Sequence, residues 1–186
     1  MNFQKCLLAV LGGGMLLLGG CEKPRAQTQS PLATPTNAAS GFAPTNAQPK
    51  LQTMKLWLGS QEIVAELAVS LPQVMTGMMF RTDMGENEGM LFVFGLDRRL
   101  PGPHRASFYM RNTLIPLTCA YIDGEGTILE IHDMKPLDHT SIEASTDNIQ
   151  YVLEMNQGWF DRKKIPVGSV MRTELGTLRD TFFKRR

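Results

Sequence analysis

Residues 22–50 are rich in Pro, Thr, Ala, Gln, Ser and Asn and have almost no large apolar side chain. A segment of this composition buries too little apolar surface to offset the conformational entropy that is lost when a chain becomes ordered. We therefore expect a disordered tether, extended around its prolines. This segment cannot form a hydrophobic core. Only residues 51–176, about 125 of them, have the pattern of a folded domain.

An apolar leader precedes the tether and ends in Leu18-Gly19-Gly20-Cys21. Its apolar run, Leu7–Leu18, is too short to span about 30 Å of hydrocarbon. The small residues before Cys21 resemble the lipobox of bacterial lipoproteins, in which the cysteine thiol is acylated and becomes the mature N-terminus. The alternative is a chance cysteine beside a signal cleavage site. We expect residues 1–20 to be a signal peptide and Cys21 to be the lipidation site of a linker over 21–50. The chain is then held in the cell envelope, anchored to the membrane on the periplasmic or extracytoplasmic side.

The balance of charged side chains argues against nucleic-acid binding, and the number of cysteines excludes an intramolecular disulfide. Lys5 is the only charged side chain of the leader, so the mature chain has 18 basic and 18 acidic groups. Nucleic acid is therefore not an expected partner, because phosphate binding needs a basic surplus. After the loss of Cys6 and acylation of Cys21, Cys119 is the one remaining thiol, so no intramolecular disulfide can form. Cys119 lies in an apolar run, where a buried hydrophobe is expected rather than a nucleophile.

The turn signals within residues 51–176 predict one compact domain of the mainly β class, a β-rich α+β fold similar to a β-sandwich, with one or two short helices. Strands are expected over residues 51–58, 61–69, 89–94, 106–110, 116–122, 127–133, 151–156 and 168–172. Gly59-Ser60 is a hairpin signal. Gly89–Phe94 is apolar without alternation, which predicts a strand that is covered on both faces.

Two segments predict short helices, and the end of the chain predicts a tail. Ser70-Leu71-Pro72-Gln73 has the residues that begin a helix, which we expect to reach about Met78. A second short helix is expected within residues 157–164. Residues 177–186 are interpreted as a charged C-terminal tail with helical tendency.

Several strings of residues occur in a specific order and spacing. They are Met75-Thr76-Gly77-Met78-Met79-Phe80-Arg81, Glu88-Gly89-Met90-Leu91-Phe92-Val93-Phe94, Phe108-Tyr109-Met110-Arg111-Asn112-Thr113-Leu114-Ile115-Pro116-Leu117, Tyr121-Ile122-Asp123-Gly124, Val152-Leu153-Glu154-Met155-Asn156-Gln157-Gly158-Trp159 and Ile165-Pro166-Val167-Gly168. Across residues 54–173 the chain resembles the DUF192 (UPF0127) family. The resemblance implies a compact β-sandwich-like domain that is often exported, and it implies no activity, because the family is uncharacterised. The family usually has Asp directly after the Pro-Leu pair, where this chain has Thr118.

The strongest polar cluster is Arg111-Asn112-Thr113, and Arg81, Glu88 and Asp123 are the candidates to join it. A guanidinium fork, an amide and a hydroxyl together could bind a carboxylate, a phosphate or a pair of sugar hydroxyls. The alternative is structural: Asn and Thr satisfy the backbone of a turn, and an arginine pairs with Glu88 to brace two loops.

These residues lead to two hypotheses of function. The first is a lipid-anchored module that binds a small ligand or an envelope protein, with no cofactor. The second is an envelope hydrolase in which Glu88 or Asp123 is the general base and Arg111 stabilises charge.

Methionine suggests a third hypothesis, because thioethers are soft ligands that select Cu(I). Ten methionines remain in the mature chain, among them Met75, Met78, Met79, Met84 and Met90. Against a copper site, Met75, Met78 and Met79 have the helical spacing of a core face. The three histidines have no ligand spacing, so no other metal site is expected. Glu154 and Asn156 share one strand face, which predicts either a half-site for hydroxyls or a metal, or simply a solvated face.

Overall fold

The computed structural model describes residues 44–184, and within them it has ten strands and three short helices. The strands are β1 Thr53–Leu58, β2 Gln61–Ala68, β3 Glu88–Val93, β4 Ser107–Phe108, β5 Leu117–Ile122, β6 Ile128–Met134, β7 Ile142–Glu143, β8 Tyr151–Asn156, β9 Met171–Thr173 and β10 Gly176–Thr177, and the helices are α1 Leu71–Thr76, α2 Trp159–Arg162 and α3 Leu178–Phe183. The predicted mainly β class is confirmed. The predicted signal peptide, Cys21 and residues 22–43 of the predicted tether lie outside the described residues.

Eight of the strands form one sheet in the order β10-β9-β1-β2-β3-β8-β5-β6. Every neighbouring pair is antiparallel except β2 and β3, which are parallel and joined through α1. The sheet curls until β6 approaches β9, where the Ile128 N–H donates to the Ser169 carbonyl at 2.9 Å and Thr127 bridges Val170. The remaining pair, β4 and β7, forms a small second sheet.

The curled sheet has an apolar cluster on each of its faces. One cluster includes Leu58, Met171 and Ile128, which come from strands at opposite ends of the sheet order, so it fills the concave side. The other lies on the convex side and is covered by α1, by β4 and β7, and by loops between residues 95 and 150. Strands β3, β5 and β8 are buried along nearly their whole length because both of their faces are covered. The expectation for the non-alternating run at 89–94 is confirmed.

Local sequence accounts for the first hairpin and the first helix. Gly59 has a φ of +59°, and β1 pairs with β2 around the Gly59-Ser60 turn as predicted. The helix α1 begins after Ser70, whose N–H donates to the Gln73 side-chain oxygen at 3.0 Å. It ends at Gly77, where the chain takes a φ of +48°.

The structure differs from the predicted elements in three places. The predicted strand over 106–110 is only β4, two residues long, and it pairs with β7, which has no sequence signal of its own. A short strand, β10, crosses the boundary between the predicted domain and the predicted tail. Within that tail α3 packs Leu178 into the concave cluster, and Phe182 and Phe183 lie near the Tyr151 ring.

The last residues of the predicted tether contact the domain. The Gln48 amide donates to the Gln73 and Gly77 carbonyls at 3.2 and 2.9 Å, at the end of α1. The Leu51 N–H donates to the Glu66 carboxylate at 2.7 Å. Among residues 44–184, no helix has the length and apolar character needed to cross a membrane.

Candidate functional site

Glu154 is an acidic residue in the middle of the sheet. Its strand, β8, lies between β3 and β5, and its register partners are Met90 on one side and Cys119 on the other. Both partners belong to the convex apolar cluster. The Glu154 residue is only 4% exposed, so the interpretation of this strand face as solvated is wrong at this position. Asn156, two residues on, instead donates to the Met84 and Gly85 carbonyls.

A pocket of about 260 Å³ opens beside Glu154 on the convex side of the sheet, and we call it the Glu154 pocket. It is lined by Val74, Met75, Thr76, Gly77, Met78, Met79, Phe92, Phe94, Leu100, His104, Ser107, Phe108, Tyr109, Thr113 and Glu154. Met75, Ser107 and Tyr109 are the exposed members of this lining, and they mark its mouth. The volume is just below the range of roughly 300–1,000 Å³ that is typical of small-molecule sites.

Burial dominates the electrostatics of the pocket. It raises the pKa of Glu154 to about 8, and no other cause contributes to the shift. Within the described residues no hydrogen bond to this carboxyl is found, so at neutral pH the group is mostly protonated and has unused hydrogen-bonding capacity. Burial, followed by the charge of Glu154, raises the pKa of Cys119 to about 12.

The backbone near the pocket is strained at three linked positions. Phe80, Asn112 and Leu137 have φ angles of +62°, +61° and +62°, a conformation that is uncommon for residues other than glycine. The Phe80 N–H donates to the Asn112 carbonyl at 2.7 Å, and the Leu137 N–H donates to the Thr113 carbonyl at 3.1 Å. Thr113 is itself buried and lines the pocket. Such strain costs of order 1–3 kcal/mol per residue and tends to cluster at binding sites.

Of the predicted cluster, Arg111, Asn112 and Thr113 lie at the edge of the Glu154 pocket. The Arg111 guanidinium carbon is 5.4 Å from the centre of the Tyr109 ring, and its Nε is buried without a hydrogen-bond partner. Arg111 therefore braces its loop through an aromatic ring rather than through Glu88.

Arg81 and Glu88 line a second pocket of about 250 Å³, which we call the Arg81 pocket. Arg81 forms an ion pair with Glu66 at 2.9 Å, and the two side chains are only 14% and 13% exposed. Glu88 accepts a hydrogen bond from the Gly85 N–H at 3.1 Å and lies 4.0 Å from the Lys50 ammonium group. The lining has charges of both signs that are largely paired with one another.

Asp123 lies at the far end of the sheet from the other predicted residues. Its carboxylate accepts hydrogen bonds from the Glu125 and Thr127 N–H groups at 2.9 and 2.8 Å and so closes a turn. Arg111 precedes the first residue of β5, and the strand register places Glu88 level with that same end. Asp123 follows the last residue of β5, so the length of the strand, about 20 Å, separates it from both. The pairing of Glu88 or Asp123 with Arg111 that the hydrolase hypothesis needs is not formed.

The methionines of the copper hypothesis divide between several places. Met75, Met78 and Met79 line the Glu154 pocket, Met84 lines the Arg81 pocket, and Met90 is buried in β3. His104, also in the Glu154 pocket, has its Nδ1 3.1 Å from the Gly102 carbonyl oxygen. No group of three or more His, Cys, Asp and Glu side chains that could hold a metal ion occurs between residues 44 and 184.

Thr118, at the position where the resembled family has Asp, joins three elements. Its hydroxyl donates to the Asp133 carboxylate at 2.5 Å and accepts from the Gly158 N–H at 2.8 Å. It thereby connects β5 to β6 and to the turn before α2. A carboxylate at this position would face Asp133 directly, and the hydroxyl replaces that repulsion with a hydrogen bond.

The sequence did contain a signal for the Glu154 pocket. Glu154 is the one charged residue in the otherwise apolar run Tyr151–Met155, and such a run predicts a strand covered on both faces. The aromatic lining had no such signal, because Phe92, Phe108 and His104 lie on separate elements that only the fold brings together.

Comparison with known proteins gives a family and no activity. Residues 54–173 match the DUF192 family, described as an uncharacterized ACR. A solved structure from Sinorhizobium meliloti 1021, described as a proposed transcription regulator, is 30% identical with a TM-score of 0.61, and the match covers 68% of this chain and 97% of that one. A protein of unknown function from Novosphingobium aromaticivorans DSM 12444 is also 30% identical, with a TM-score of 0.59 and coverage of 74% and 98%. No curated protein matches the sequence. With the family match spanning residues 54–173, the chain belongs to the DUF192 family.

Proposed function

We propose that this protein is a lipid-anchored domain of the cell envelope that binds a small ligand in the Glu154 pocket. The observation that carries the proposal is the Glu154 carboxyl, which is buried, lacks a hydrogen-bond partner among the described residues and lines an open pocket. The carboxyl oxygens are not among the fully buried atoms that lack a partner, so they are accessible from the pocket, where a ligand or ordered water can complete their hydrogen bonds.

The shape and the chemistry of the pocket support a ligand rather than a reaction. Its wall is mainly aromatic and thioether-bearing, with a few polar groups, which is the usual composition of small-molecule sites. The only cysteine of the described chain is buried, and its raised pKa keeps the thiol protonated and unreactive. A rigid sheet beneath the pocket and strained loops beside it favour a preformed site.

The test uses four probes with the same six-carbon body and different head groups: hexylamine, hexanol, hexanamide and hexanoate. We expect at least one of them to raise the thermal unfolding midpoint of the full-length protein in a concentration-dependent way. Met75→Trp, which adds bulk at the pocket mouth, should abolish that rise. Leu175→Trp is the matched control, since Leu175 is 73% exposed and does not line the pocket. A rise that Met75→Trp leaves intact would contradict the proposal, as would the absence of any rise.

The membrane anchor is a separate part of the proposal and rests on the sequence around Cys21. In bacterial cells the wild-type protein should fractionate with membranes and incorporate labelled palmitate. The Cys21→Ser variant should lose the label and leave the membrane fraction. Retention of Cys21→Ser with the membrane would overturn the anchor while leaving the pocket untouched.

Cu(I) is the second candidate ligand, favoured by three thioethers and His104 in one lining. The Gly102 carbonyl, when it accepts from Nδ1–H, leaves the His104 Nε2 lone pair available to a metal. Cu(I) held by a competing chelator should then transfer to the wild type. The transfer should fail with Met78→Leu/Met79→Leu, which conserves the apolar volume.

A further inference from the structure

We propose that the ligand of the Glu154 pocket is an organic ammonium ion with a short apolar body, whose nitrogen pairs with the Glu154 carboxylate. This inference rests on the proposed binding function and specifies the chemical class of the ligand. It is carried by three properties of the pocket: the sign of its one buried acidic group, the aromatic rings around it, and its size.

The lining offers an acidic group and no lysine or arginine to pair with it. Glu154 is the only Asp or Glu among the lining residues, and none of them is Lys or Arg. A ligand carboxylate or phosphate would face Glu154 with no lysine or arginine in the lining to pair with, since the Arg111 guanidinium lies over the Tyr109 ring at the edge of the pocket and is not part of the lining. An ammonium ion instead gains a charge-assisted hydrogen bond that is strengthened by the buried surroundings.

The aromatic rings favour a cation independently of Glu154. Phe92, Phe94, Phe108 and Tyr109 all line the pocket, and Phe92 and Phe108 meet edge to face with their centroids 4.9 Å apart. Aromatic faces attract ammonium groups, and they do so more strongly when the contact is desolvated. The Met75, Met78 and Met79 side chains supply polarizable surface for the apolar body.

The size of the pocket limits that body. A volume of about 260 Å³ accommodates a fragment rather than a drug-sized molecule. The exposed mouth at Met75 and Tyr109 allows a longer chain to extend into solvent. A simple alkylammonium or a diamine fits both conditions.

Pairing changes the protonation of Glu154, and this gives the inference its sharpest test. In the empty pocket the carboxyl holds a proton at neutral pH because burial raises its pKa to about 8. An alkylammonium, with a pKa of about 10.4, keeps its charge at that pH. Formation of the ion pair therefore releases the Glu154 proton to solvent, one per ligand bound, and affinity must rise with pH until the free carboxyl is ionised.

The other titratable groups near Glu154 come from each element around it. Cys119 and Tyr121 face it from β5, and burial raises the pKa of both groups above the working range. His104 and Tyr109 line the pocket from its loops, and the Arg111 guanidinium lies over the Tyr109 ring. Met90 on β3 does not titrate, nor do Met75, Met78 and Met79. The Glu154→Gln variant therefore identifies the source of the proton, because it removes only a release that comes from Glu154 and leaves any that comes from His104.

The experiment is calorimetric titration of the full-length protein with hexylamine, in two buffers that differ in ionisation enthalpy. At pH 7 we expect close to one proton to be released per hexylamine bound, and Kd should fall about tenfold between pH 6 and pH 7. Glu154→Gln should weaken hexylamine at least tenfold and abolish the proton release. Glu88→Gln is the matched control, because Glu88 is exposed and does not line the pocket, and it should leave both quantities unchanged.

Each of the contrary outcomes identifies what has failed. If hexanol, hexanamide or hexanoate binds in a way that Met75→Trp blocks and hexylamine does not, the pocket is a ligand site and the ammonium inference is wrong. Hexylamine binding without proton release, or with equal affinity for Glu154→Gln, also overturns it. If Cu(I) alone binds, and Glu154→Gln leaves its affinity unchanged, the site takes a soft metal instead. If no probe binds, the proposed function fails together with the inference.

Discussion

Cys119 and Glu154 are register partners on adjacent strands, so a thiol and a carboxyl lie side by side in the buried centre of the sheet. Neither is paired with a charged group of opposite sign, and burial is the first cause of the raised pKa of each. Both groups are therefore neutral at pH 7, and ionising either one costs folding free energy.

The stability of the domain should fall as pH rises through neutrality, because of Glu154. Its pKa is about 8 in the folded state and near 4.5 when exposed, so between these values the folded state binds more protons. The contribution of the neutral carboxyl is complete below pH 4.5 and is lost as pH approaches 8, and it amounts to roughly 3 to 5 kcal/mol. Urea unfolding of the wild type at pH 5, 6, 7 and 8 measures it.

Glu154→Gln provides the control for that titration, since it keeps the shape of the side chain and cannot ionise. Its stability should be nearly flat over the same pH values. An equal decline in the wild type and in Glu154→Gln would assign the pH dependence to other groups and contradict the buried, unpaired environment described for Glu154.

Cys119 should resist alkylation in the native state. The thiol is fully buried, and its pKa of about 12 leaves almost no thiolate at pH 8. Iodoacetamide should modify it only as fast as the domain unfolds, and modification should become rapid in denaturing urea. The measurement is mass spectrometry over time, on the Cys6→Ser/Cys21→Ser variant so that Cys119 is the only thiol. Rapid native modification would mean that the convex cluster opens readily.

The regular part of the fold could be predicted from local sequence. The hairpin at Gly59-Ser60, the helix after Ser70 and the doubly covered strand at 89–94 each depend on neighbouring residues, and the structure contains all three. The two-residue strands β4 and β7 could not be predicted, because they are held by each other rather than by a pattern of their own.

The candidate site was predictable only in part. Glu154 was singled out, but its burial depends on α1 and on the loop that includes Tyr109, both of which are far from it in the chain. Polar residues at alternate positions, such as Glu154 and Asn156, indicate a solvated strand face unless one knows that other elements cover it. Asp123 was grouped with Arg111 although the predicted strand between them already argued against it, since six extended residues span about 20 Å.

Gly89 is expected to tolerate no side chain. A Cβ built there lies 2.6 Å from the Glu154 carbonyl oxygen and 2.5 Å from the Met155 sulfur, closer than van der Waals contact allows. The methionine can move, but the carbonyl belongs to the neighbouring strand β8, so Gly89→Ala should destabilise the domain by at least about 2 kcal/mol. Gly124→Ala is the matched control, because nothing lies within 4 Å of its Cβ. Comparable midpoints for the two variants in thermal unfolding would contradict this packing.

The ion pair of Arg81 and Glu66 should stabilise the fold, and the energetic effects of substituting its two residues should depend strongly on each other. Its two side chains are mostly buried, and the Glu66 carboxylate also accepts the Leu51 N–H. Arg81→Met leaves that carboxylate without its counter-charge, and we expect a loss of about 2 to 4 kcal/mol in the free energy of unfolding. Adding Glu66→Gln should recover part of the loss, which a double-mutant cycle in urea measures. Lys55→Met, which removes an exposed pair with Glu62, should barely move the midpoint. If Arg81→Met were as mild as Lys55→Met, Arg81 would be free to act on a ligand in its own pocket, and its assignment to a structural role would be wrong.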